Sequence, residues 1–145
     1  MGKIKHAKDP LGPHMRIYWG VVDCAAWSLI TNADVRVYMA MRRQLTSWNN
    51  GDIHASLARM KERGVASSST LAAALKRLQQ LGFIVMTRKG GIASGGKTCC
   101  LYRFTDLPTL EIPKLGIVAR PATNEWRRFK TIGEARAALD VPPEN

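Results

Sequence analysis

The sequence predicts an α+β protein: a helical core closed by a C-terminal β-hairpin, with a basic N-terminal arm and a C-terminal extension. Three observations lead there. An amphipathic run at 68–81, opened by serines, follows a shorter one at 57–63 across a Gly64-Val65 break. Two strand-like runs, 83–88 and 98–104, come next and flank a tip holding Gly90, Gly91, Gly95 and Gly96. Finally, 22 Lys and Arg against 11 Asp and Glu give a net charge of +11, and residues 53–97 carry eight basic residues against Glu62 alone. Charge concentrated in this way favours a polyanionic partner over simple solubility.

A length of 145 residues suits one domain with trailing segments, divided here as 1–16, 17–107 and 108–145. The 46% apolar share is that of a globular chain, and no apolar run nears the ~18 residues of a membrane helix. The arm lacks the apolar stretch of a secretory signal, and Met1-Gly2 is not followed by the Ser or Thr that myristoylation wants. Cys24, Cys99 and Cys100 form no CxxC, and His6, His14 and His54 show no ligand spacing with them. Core or surface thiols in a reducing cytoplasm are the expectation, without zinc or another cofactor.

Along the chain, Lys3, Lys5 and Lys8 with two prolines make a basic arm, either frayed or laid along phosphates. Residues 17–22 read as a short strand or buried segment, and Asp23 as the cap of a short helix holding Ala25, Ala26 and Trp27. Thr31 or Asn32 caps the next helix, where Val35, Tyr38 and Met39 share a face and Arg36, Arg42 and Arg43 lie mostly off it. Trp48 is expected in the core or at its edge, Asn49-Asn50-Gly51 as a turn, and Ile53 in a brief strand. Ser56 opens the short helix, with Leu57 and Met60 inward and Val65 between the crossing helices.

The hydroxyl run 67–70 makes a poor helix interior and a good cap, because its oxygens accept from free helix N–H groups. Leu71, Ala74, Leu75 and Leu78 form the packing face of that helix. Ser69, Thr70, Ala73, Lys76, Arg77 and Gln80 form the opposite one, and Gly82 stops it. In the extension, residues 107–121 with three prolines form either a linker or a strap with Leu110, Ile112 and Leu115 inward. Trp126 and Phe129 are expected to dock on the core in preference to clamping DNA. Thr131 caps a last helix over 132–139 with Glu134 in its first turn, and a homodimer through it stays open.

The residues GVASSSTLAAALKRLQQLGFIVMTRKGG…GGKTCCLYRFTD, with AAWSLI…NNGDI upstream, resemble the winged helix-turn-helix family, specifically its small members from phages, plasmids and integrated elements. The resemblance covers about residues 17–107. It implies double-stranded DNA as partner, a recognition helix near 68–81 in the major groove, and a wing near 88–98 on the backbone or minor groove. Ser69, Thr70, Ala73 and Arg77 would meet bases, Arg77 pairing bidentately with guanine. Ser67, Ser68, Lys76, Arg88, Lys89 and Lys97 would hold phosphates. The turn before Thr70 is a residue longer than the tightest in the family, so the helix start is open between these hydroxyls. The implied role is non-enzymatic transcriptional regulation. Plasmid or phage replication, or a protein-binding winged helix, are the alternatives.

Gly91-Ile-Ala-Ser-Gly-Gly-Lys97-Thr98 matches the nucleotide-binding P-loop pattern letter for letter. That motif works only where a helix begins at the Lys-Thr, so that free N–H groups face the phosphates. Here Cys-Cys-Leu-Tyr-Arg-Phe follows, a strand sequence, so no nucleotide or other small-molecule ligand is expected. The carboxylates form no close pair and no serine sits in a Gly-x-Ser-x-Gly elbow, which leaves no catalytic constellation.

Overall fold

The computed structural model describes residues 8–93 and 96–143, and of residues 92, 93, 96 and 97 the strand backbone alone. Where a strand was expected at 17–22, Trp19–Val22 forms a one-turn helix, α1, that buries Val21 and leaves Trp19 in water. Among the described residues this segment joins neither sheet, and a helical turn satisfies its backbone locally. Asp23 ends α1 instead of opening the next element, and the 3-10 helix Ala26–Leu29 starts without a side-chain cap.

Thr31 caps α2, Asn32–Arg42, through a reciprocal box: Asp34 N donates to Thr31 Oγ1 at 3.1 Å and Thr31 N to Asp34 Oδ2 at 2.9 Å. Val37, Tyr38 and Met41 face the core, and so does Arg42, which the helical pattern had set mostly outside. Its guanidinium donates to both Asp106 oxygens at 2.7 and 2.9 Å and to the Arg16 carbonyl at 3.0 Å, and lies 4.8 Å from the Phe104 ring centre. A buried guanidinium is tolerable when its fork is filled in this way. Tyr38 also joins Trp27, Phe83 and Phe104 in an edge-to-face aromatic cluster, a favoured ring geometry.

The Asn49-Asn50-Gly51 turn is present, with Gly51 at φ 106°, and Asn50 is buried. Asn50 Nδ2 donates to the Phe104, Leu107 and Pro108 carbonyls, and its Oδ1 accepts from Phe104 N. Trp48, expected in or near the core, is instead 72% exposed. Ile53–His54 is β1, and α3, Leu57–Glu62, follows a Ser56 cap, burying Met60 and handing Val65 to the gap between helices. Ser67 caps α4, Ser68–Gln80, which fixes the start left open by the sequence: Ser68 is the first helical residue and Thr70 N donates to Ser67 Oγ.

After Gly82 at φ 80°, β2 (Ile84–Arg88) and β5 (Leu101–Phe104) pair antiparallel, with β1 on the other side of β5. The result is an α+β architecture with five α-helices and a three-stranded antiparallel sheet among the described residues. The expected single hairpin is two. Register slips between Met86 and Arg88, and a separate pair, β3 (Gly91–Ala93) and β4 (Gly96–Thr98), forms the distal end.

Residues 107–121 form neither a free linker nor the expected strap. Bridges Thr109–Arg120 and Ile112–Ile117 fold them into a hairpin, in which Thr109 and Ile117 are buried instead of Leu110. A 3-10 helix, Glu125–Arg128, then inserts Trp126 into the main core, and Phe129 packs at its edge, as expected of this pair. Thr131 caps α5, Ile132–Ala138, which buries Ala135 and packs on the 3-10 helix at 26–29. No helix among the described residues is long and apolar enough to cross a membrane.

Candidate nucleic-acid interface

The candidate interface is built from α4 and the hairpin that follows it. Leu71, Ala74 and Leu78 turn one side of α4 into the core, packed against α2. The side left in water carries Ser68, Ser69, Ala72, Ala73 and Lys76, while Thr70 is half-buried. These residues sit three and four apart and therefore share one face. The strip holds no acid and no bulky apolar side chain, so another surface can come close to the α4 backbone along it. Ser67 Oγ is 2.8 Å from Ser69 Oγ, which occupies part of its hydrogen-bonding capacity in capping.

One expected contact residue and one residue expected on the outer face are turned elsewhere. Arg77 leans back across the helix pair, its Nη1 at 2.9 and 3.0 Å from the two oxygens of buried Asp34. Asp34 thus serves the α2 cap and the α2–α4 contact together, and the Arg77 fork points at α2 instead of outward. Gln80, expected on the outer face, is buried because the turn after α5 covers it: Nε2 donates to the Leu139 and Val141 carbonyls at 3.0 and 2.7 Å.

The hairpin shows the same economy. Arg88, expected on phosphate, donates from Nε and Nη2 to the Cys99 carbonyl at 3.2 and 2.9 Å, bracing β2 against the two-residue connection between β4 and β5. Lys89 is exposed and stands beside that brace. Gly90 is closed in: a Cβ there would lie 2.6 Å from Cys100 N and Thr98 O, so this crossing admits glycine alone. Gly90 N also donates to Cys100 Sγ at 3.1 Å. Lys97 pairs through its backbone with Ile92, its side chain outside the described residues, as are Lys3 and Lys5 of the arm.

No family model, curated protein or solved structure matches the chain.

The site therefore rests on its own geometry. Of the expected residues, Ser67, Ser68, Ser69, Ala73, Lys76 and Lys89 are exposed, and Ala72 joins them although it was not singled out. Its spacing from Ser69 and Lys76 is the signal that could have found it. Arg36, placed off the packing face of α2 by the sequence, was given no contact there. It is exposed on α2 and donates to the Arg63 carbonyl at 3.4 Å, across Gly64 at φ 90°. Its partner is 27 residues away, so no local pattern announces it. Among the described residues, no three His, Cys, Asp or Glu come together as a metal set.

Proposed function

We propose that the protein binds double-stranded DNA without catalysing a reaction, as a winged helix, with α4 in the major groove and the β2–β5 hairpin as the wing. The observation that carries this reading is the bare strip of Ser69, Ala72, Ala73 and Lys76, on the helix that packs against β2 of the hairpin bearing exposed Lys89, which leaves room for base edges to approach. Ala72 and Ala73 suit a thymine methyl, Ser69 and Thr70 suit donors or acceptors on base edges, and Lys76 and Lys89 suit phosphates. Arg77 leaves the set of base readers and becomes the residue that sets α4 against α2. Regulation of transcription in a mobile element is the role this reading favours.

Binding to duplex fragments across a salt series tests it. Lys89→Ala should weaken binding evenly across sequences and reduce the salt slope by about 1, whereas Ala73→Glu should abolish binding by placing a carboxylate at the groove. No binding at low salt, or equal binding by both variants and the parent, would refute the reading.

A further inference from the structure

A second surface shares no residue with α4 or the hairpin. Past the end of β5, a groove of about 530 Å³ runs between residues 14–18, the loop at 45–50 and the turn at 107–110. That lies within the roughly 300–1,000 Å³ of small-ligand sites. Trp48 is 72% exposed and Tyr18 49% exposed along it, with Met15 and Leu110 adding apolar surface.

The loop presenting Trp48 is held, not loose. Thr46 N donates to Asn49 Oδ1 at 2.7 Å, Trp48 N to Thr46 Oγ1 at 3.3 Å, and Asn49 Nδ2 to the Gln44 carbonyl at 2.8 Å. Arg42 at the groove is already neutralised by Asp106, but Arg16 and His14 expose their side chains on its wall. None of the described residues lining it is a carboxylate. Two aromatic faces in water, with the Arg16 guanidinium beside them and no carboxylate in the lining, match the stacking and charge needs of unpaired nucleotides. A protein partner of ordinary size would want a continuous apolar centre, whereas Thr46 and Ser47 interrupt this one.

We propose that this groove binds single-stranded nucleic acid, with bases stacked on Trp48 and Tyr18 and the backbone passing Arg16. Duplex on one face and a separated strand on another would let one molecule hold a junction. The inference stands apart from the duplex reading, since the two sites can be disabled separately.

The test is fluorescence anisotropy of the full chain with a labelled oligothymidylate of about twelve nucleotides, a length within known single-strand site sizes. Trp48→Ala should weaken binding about tenfold, the size expected for loss of one stacked base. Tyr18→Ala should act in the same direction, and Lys89→Ala should change little. Both aromatics are largely in water, so unchanged thermal melting will show that the variants fold. Absence of binding at low salt, binding by Trp48→Ala equal to the parent, or loss only in Lys89→Ala would overturn the proposal. So would Trp48-dependent binding of polyglutamate with no binding of the oligothymidylate, which would assign the groove to an acidic protein segment.

Discussion

Arg42 and Asp106 bury a full pair of charges beside Tyr38 and Phe104. Removing one partner strands the other in low dielectric, so Arg42→Ala is expected to cost about 3–5 kcal/mol in urea unfolding. Arg103, bonded to Thr123 and Glu125, is a second buried cation after Arg42, and Arg77 is half-covered. Basic residues in this chain thus divide between those that meet water and those that tie elements together. Two tyrosines give an alkaline signature. Burial pushes the Tyr102 hydroxyl up to about 12, with neighbouring Cys100 adding to the effect, and burial likewise raises Tyr38. The unfolded tyrosine ionises near pH 10 while the folded one stays neutral, so this stability is intact below about pH 10 and falls between there and about pH 12. Tyr102→Phe should flatten that decline in chemical denaturation series without altering the neutral-pH slope of stability against pH.

At the scale of elements, α4 is positioned by one side-chain pair and ended by one glycine. Arg77→Ala should lower stability by about 1–3 kcal/mol, because Asp34 loses its charged partner while buried at the α2 cap. Under the duplex reading it would also weaken binding to all sequences alike, where a base reader would show its effect at one position. Gly82 combines φ 80° with a backbone neighbour: a Cβ would fall 2.7 Å from Trp126 N. Gly82→Ala is therefore expected to cost at least ~1–3 kcal/mol by calorimetry, from strain and displaced contact together. The helices with caps were legible in the sequence to within a residue or two, since Thr31, Ser56, Ser67 and Thr131 act within three residues of themselves. The destinations of Arg42, Arg77 and Arg88 were not, because each partner is set by tertiary contact: Asp106, Asp34 and the Cys99 carbonyl. The break of the hairpin at Gly90 was hidden for the same reason. Glycine content announced a tip, while the close crossing with Cys99-Cys100 arises only once the strands pair.

For the whole molecule, the C-terminal third is part of the core. Trp126 belongs to the buried core cluster, and a Cβ added at Gly20 would lie 3.5 Å from its Cη2. Trp126→Ala should destabilise the entire chain by about 3–5 kcal/mol in one cooperative transition, read by both far-UV and near-UV circular dichroism. Two separate transitions would mean that the third folds by itself. Composition could suggest that Trp126 and Phe129 dock, yet not where, because proline-rich segments carry no periodicity to orient them. The docking of α5 on the 3-10 helix at 26–29 joins parts of the chain roughly a hundred residues apart, the kind of contact that slows folding by its loop-closure cost. Since synthesis runs from the N-terminus, α1, α2 and α4 emerge while the pieces that cover them are still being added. The 3-10 helix at 26–29 and Gly82 then stay uncovered until α5 and Trp126 follow, so later segments of the chain close over earlier ones.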